Sequence, residues 1–349
     1  MLTQAGRGFG AAYGMFPGAR RTGGVSMSAP DTPGAGRVMT VTGPVAPDAL
    51  GHTVTSVHVV SDLPAGENGG DVDETPVGLG LLGALSLGAA NRDNARLTEE
   101  GAAAELADFA ALGGGTVVDV TGAGRGRDPR ALARLARATG VHVVMGASGG
   151  VAEEIVREVV DGVDGVRAGV IGRIGMLDPD RAAHRAVAAT VGEAARETGA
   201  PVLLDRAATY EATHRVLDLL DGVDPARVAV GACDAFATDH EALASLAERG
   251  VSVQFDRLGR LTNVYTEVDD QDVAAAVLAL AERGHAERVL LSPGVSRKID
   301  LKGFGGGGYG FVVQQFVPFL RFQGADDALV HALTEANPAR WLTITEERR

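Results

Sequence analysis

Cysteine is almost missing from this chain. Cys233 is the single one, so no intrachain disulfide can form and the fold must hold by packing alone. Positive charge is also short: 32 Lys and Arg stand against 45 Asp and Glu, a formal net charge of −13 with a pI near 5.1. That balance argues against a nucleic-acid binder or a protein held on an anionic membrane. Long apolar runs are absent too. The most apolar stretch, 79–90, is well under the roughly 20 residues that a bilayer span needs. Residues 1–36 are rich in Gly, Ala and Arg and lack the apolar run of about 7–15 residues found in a secretory signal. They read as a disordered N-terminal extension, or as a start assigned too early, ahead of a single domain over 37–349. The expected compartment is the cytoplasm.

What the chain does have is alternation. Hydrophobic residues make up 45% of its 349 positions, enough for a sizeable core. Short β-branched runs recur between amphipathic stretches with helix-start signals. The expected strands are 53–60, 116–120, 141–145, 168–171, 201–204, 228–230, 251–255 and 289–291. Asp128-Pro129 opens one intervening helix, and Asp178-Pro179 is expected to open another. Eight strands separated by helices imply parallel pairing and predict a closed (β/α)₈ TIM barrel, an α/β fold of the metal-dependent-hydrolase type. A doubly wound open sheet is the alternative. The one near-fingerprint for a dinucleotide, Gly122-Ala123-Gly124-Arg125-Gly126, is followed by Arg127 where a glycine is required.

The order of several segments carries more. VMTVTGPVAPDALG, GGGTVVDVTGAGRGRDPRALARLARATGVHVVMG, RETGAP, ERVLLS, KIDLKGFGGGGYG and EANPARWLTI together resemble the phosphotriesterase family of the amidohydrolase superfamily, from about Val38 to Ile344. The resemblance implies a barrel, usually a homodimer, with a two-metal centre at its C-terminal mouth. There a hydroxide bridging two zinc or other divalent ions attacks a phosphotriester, lactone or related ester.

The family's ligand positions fall on Ser56 and His58 after the first strand, Arg173 on the fourth, Asp205 on the fifth, Ala232 on the sixth and Gly294 after the eighth. Only His58 matches in kind, as a remnant metal ligand or a hydrogen-bonded structural histidine. Arg173 would repel dications. The expectation is therefore a pseudoenzyme with a degenerate zinc site and no cofactor. It would bind a small anionic ligand, or serve as a homodimer or as the partner of an active paralogue. The alternative is an active hydrolase of phosphotriesters, lactones or other esters with an atypical or zinc-poor site.

Arg173 and Asp205 are expected to form an ion pair in the metal volume, with room supplied at Ala232 and Gly294. Asp119, Asp234 and Asp256 sit at strand ends as acids, bases or loop caps. Cys233 reads as a buried, inert thiol. Arg125, Arg127 and Arg297-Lys298 are candidates for holding an anion at the rim.

Overall fold

The computed structural model describes residues 35–66 and 72–345. The expected extension over 1–36 lies almost wholly outside them. Eight parallel strands follow one another around the sheet in sequence order. They are β1 (His52–Val57), β2 (Gly114–Asp119), β3 (His142–Ala147), β4 (Val170–Ile174), β5 (Val202–Asp205), β6 (Val228–Gly231), β7 (Ser252–Phe255) and β8 (Val289–Leu291). A two-stranded hairpin, Val38–Thr40 with Gly43–Val45, precedes them. Helices run between the strands, and no helix among the described residues is long and apolar enough to cross a membrane.

Side-chain alternation explains the two layers. Val118, Val144, Val170, Leu203, Ala229 and Leu290 form one cluster, closed at the N-terminal end by Leu50 and Trp341. Their strand neighbours Val117, Val143, Ile171, Leu204, Val230 and Leu291 join the larger cluster against the helices. A period of two sends successive residues to opposite faces, so one set fills the barrel and the other anchors the helical ring. The helix Pro129–Thr139 shows how local chemistry frames each unit. Asp128 caps it by accepting from Ala131 N–H, Pro129 occupies its first turn, and Gly140 ends it at φ 75°.

Two expected boundaries shift. β1 ends at Val57, which places His58 just beyond the strand, and β4 continues to Ile174, which brings Arg173 into it. Asp178-Pro179 precedes the next helix by several residues, because that helix starts at Ala182.

The barrel closes differently from its other seven joints. No backbone ladder joins β8 to β1 among the described residues. Side chains bridge them instead. Ser292 Oγ accepts from Ser56 N–H at 3.0 Å and donates to Ser56 O at 2.8 Å, and Thr55 Oγ1 donates to Leu291 O at 3.3 Å. Ser292 is fully buried. Replacing it with Ala leaves a buried N–H without an acceptor, which costs about 1–3 kcal/mol. Ser292→Ala is expected to lower the denaturant midpoint accordingly; an unchanged midpoint would show that packing alone holds the seam.

Candidate active site

Arg173 occupies the centre of the C-terminal mouth, and strict alternation alone would not put it there. Ile171 packs outward, so residue 173 would point outward as well. A register shift between Ile171 and Ile174 intervenes, and Gly172 lies within it at φ 111°, where an added Cβ would stand 2.3 Å from Leu203 O. A bulge of this kind re-aims a side chain. Here it turns the guanidinium toward the axis.

Three residues hold that guanidinium. Nε donates to Asp205 Oδ1 at 2.6 Å, and Nη1 donates to Ser56 Oγ at 3.0 Å. Nη1 also lies 3.0 Å from Asp256 Oδ2. The side chains of Arg173 and Asp205 keep 22% and 20% of their surface open, whereas that of Asp256 keeps 1%. Gly231 makes the cluster possible: a Cβ there would meet Asp256 Oδ2 at 2.9 Å and Asp205 Oδ1 at 3.2 Å. The Arg173–Asp205 pair is thus present, and Asp256 completes it. The expected room at Gly294 serves the Asp256 backbone, since a Cβ there would stand 1.8 Å from Asp256 O, and Gly231 adds room beside the carboxylates. Ala232 donates its N–H to Asp256 Oδ2 at 3.1 Å, and Gly294 lies against the Asp256 backbone.

Two carboxylates share one cation, which decides the electrostatics. Burial works against the charge on Arg173, but Asp205 and Asp256 outweigh it and raise the guanidinium pKa. Burial raises the Asp205 pKa; Arg173 opposes the rise and the Asp256 charge adds to it. Asp234, pushed up to about 6 by burial and by Asp256, accepts the backbone N–H groups of Asp256 and Arg257 at 3.0 and 3.1 Å. It is a loop cap.

His58 sits on a second chain of contacts. Thr121 Oγ1 donates to Asp119 Oδ1 at 2.7 Å and lies 2.8 Å from His58 Nδ1. With its own proton committed, the hydroxyl can only accept from the imidazole, so the His58 proton is on Nδ1 and Nε2 carries the lone pair. Burial, with Arg173 and Arg125 nearby, lowers the His58 pKa to about 3. Asp119 is pushed up to about 6 by burial. It accepts from Val59 N–H at 2.9 Å as well as from Thr121. Tyr309 fixes the His58 backbone by donating its hydroxyl to the carbonyl at 2.9 Å.

The remaining candidates separate cleanly. Cys233 is buried, its thiol pKa is raised by burial, and it donates to Val230 O; it has no nucleophilic role. Arg127 is committed to a buried bidentate pair with Glu158 at 2.7 and 2.8 Å and to Gly146 O. Arg297 pairs with Asp300 and Lys298 with Asp93. Arg125 alone of the expected anion binders keeps no ion-pair partner among the described residues. Sequence reasoning singled out Asp256 only as a possible acid, base or cap. Its position directly after β7, at the same end of the barrel as Asp205, is the signal for its place in the centre.

The donor set does not fit the family's pair of dications in this arrangement. The Arg173 cation lies between Asp205 and Asp256, and among the described residues no three His, Cys, Asp or Glu side chains are grouped to hold a metal ion. What the cluster offers instead is a fixed positive charge beside a partly open carboxylate.

Comparison with known proteins corrects the expectation of inactivity. The phosphotriesterase family model matches residues 36–342. An N-acetyltaurine hydrolase of Salmo salar is 29% identical over 347 residues, covering 89% of this chain and 99% of its own. A resiniferatoxin-binding protein from Rhodobacter sphaeroides superposes with a TM-score of 0.83 at 33% identity, over 92% of this chain and all of its own. A mutant phosphotriesterase-like lactonase of Deinococcus radiodurans gives 0.68 at 25% identity, over 87% and 99%. A hydrolase that matches almost end to end and a lactonase of the same fold overturn the reading of a pseudoenzyme built around a degenerate zinc site. Substituted positions at the mouth hold an ordered charged cluster, and loss of function does not follow from the loss of a residue type. The chain belongs to the phosphotriesterase family.

Proposed function

We propose that the chain is a hydrolase of ester substrates, lactones and phosphotriesters included, with an atypical centre in which Arg173 supplies the positive charge. The observation that carries this reading is the guanidinium held from two sides by Asp205 and Asp256 and still one-fifth open to the mouth. The end-to-end likeness to a hydrolase supports it. Preorganised charge aimed at a developing oxyanion is commonly the largest contribution to such catalysis.

The steps balance without a further reactant. The substrate carbonyl oxygen rests against the Arg173 guanidinium. A water attacks the carbonyl carbon and gives one proton to Asp205, so that a C–O bond forms and the oxyanion faces the cation. Collapse breaks the bond to the leaving oxygen, which takes the proton back from Asp205 and departs as the alcohol, leaving the acid. Asp256 and Ser56 position the guanidinium. His58 stays neutral, with Nε2 as a hydrogen-bond acceptor. A raised carboxylate pKa suits this role, since a base works best near the operating pH.

Asp205 must be ionised to accept the proton, so kcat/KM is expected to rise with pH through an apparent pKa above that of free aspartate, about 3.9, and then to level. Measured with a 4-nitrophenyl ester panel, Asp205→Asn should lower kcat by about 10²–10⁴-fold. Wild-type rates on Asp205→Asn would remove Asp205 as the base.

Arg173→Met should lower kcat by about 10²–10³-fold. It also leaves two buried carboxylates facing each other. The Asp205 pKa, raised by burial and by Asp256, then loses the opposing effect of Arg173 and lies further above its unfolded value, so stability is lost as pH rises through it and regained as pH falls. Thermal melts should show a larger deficit at pH 7 than at pH 5; a deficit independent of pH would show that the guanidinium does not neutralise the pair.

Because no step passes through a metal, dialysis against EDTA should leave esterase activity within about twofold, a difference well under 1 kcal/mol in barrier height. A loss that added zinc restores would replace Arg173 with a metal as the electrophile.

A further inference from the structure

A second group of cations borders the same mouth. Arg125 lies in the turn after β2, and Arg257 and Arg260 lie in the loop after β7. None has an ion-pair partner among the described residues, although the chain as a whole carries an excess of carboxylates. The carboxylate nearest in charge to Arg260 is Asp300. It is already committed to Arg297, at 2.9 Å to Nη2, and to the backbone N–H groups of Ser296 and Arg297.

Arg260 lines a small recess with Leu258, Pro293, Val295, Gly308 and the same Asp300, whose charge is taken up by Arg297. That recess adjoins the catalytic mouth, because Val295 O accepts the backbone N–H of His58 at 2.8 Å. Arg125 and Arg260 both act on the His58 imidazole, as Arg173 does. Arg260 is exposed and stays charged, and Arg257 and Arg297 repel it. Arg260 is an unpaired guanidinium in that recess and Arg125 an unpaired one on the turn after β2, and their planar N–H forks match carboxylate, sulfonate or phosphate oxygens.

We infer that the substrate of this centre carries an anionic group, which rests on Arg125 and Arg260 at the rim while the scissile carbonyl meets Arg173. Arg257 adds to the local field without a defined contact. The inference rests on the hydrolase reading above for the word substrate, but the arginine site itself stands apart from turnover. In a strongly acidic protein this patch also draws an anion toward the mouth and away from the remaining surface.

The test uses two esters of similar length, 4-nitrophenyl hemisuccinate and neutral 4-nitrophenyl butyrate. Wild-type protein should prefer the anionic ester in kcat/KM by about tenfold, the size of one charge-assisted contact. Arg125→Leu and Arg260→Leu should each erase most of that preference, mainly through KM, and Arg137→Leu, at the C-terminal end of the helix Pro129–Thr139, should preserve it. Equal rates on the two esters, or a preference that survives both rim variants, would overturn the inference. Calorimetry with succinate and with methanesulfonate reads the same site without turnover. If neither ester is hydrolysed, the hydrolase reading fails, yet anion binding that is present in wild type and lost in Arg125→Leu and Arg260→Leu still upholds the rim site. Absent binding, or binding equal in the variants, refutes it.

Discussion

The mouth of this barrel depends on a charge imbalance, two carboxylates around one guanidinium. An isolated buried arginine would be too costly, and Asp205 and Asp256 without it would repel each other in a poorly solvated space. The surrounding architecture accommodates the cluster. Gly231 carries no side chain where the carboxylates converge, the bulge at Gly172 swings Arg173 inward, and Ala232 and Gln254 donate to Asp256 Oδ2. A well-packed apolar set could give a comparably stable barrel. The polar arrangement is therefore better explained by what it does to a ligand than by what it adds to stability.

Around that centre the family scaffold remains intact. The inner and outer faces of the strands alternate except where β1 and β4 shift register, and the closing helical segment plugs the N-terminal end with Trp341, whose indole donates to Arg227 O. The rigid end is thus opposite the mouth. The loops at the C-terminal end carry the unpaired arginines and the His58–Thr121–Asp119 chain, as expected for a barrel in which loop residues do the chemistry and strands hold them.

Much of this was legible in the sequence, and the failures have physical causes. The barrel followed from alternation, because both helix and strand periods are written locally. The Arg173–Asp205 contact followed from adjacent strand ends. The inward turn of Arg173 was not derivable from periodicity, which points it outward; only the glycine before it hints at a bulge. Arg127 and Arg125 look alike in sequence, and the distinction rests on Glu158, 31 positions away. Inactivity was inferred because missing metal donors were equated with missing electrostatics. A guanidinium can also present positive charge to an oxyanion, and the relatives named as a hydrolase and a lactonase make an inert barrel the poorer reading.

The joint between β8 and β1 has a consequence for how the molecule breathes. Seven joints are strand ladders, whereas this one is held by side-chain bridges with one backbone bond just past the strand ends. Amide exchange by local opening samples the least cross-linked region first. Ser56 belongs to both sides of that region: its backbone is latched to Ser292 and its hydroxyl receives a hydrogen bond from Arg173. A fluctuation that parts the barrel wall there also slackens the cradle of the guanidinium, so the slowest-exchanging conformation and the best-aligned centre are the same one.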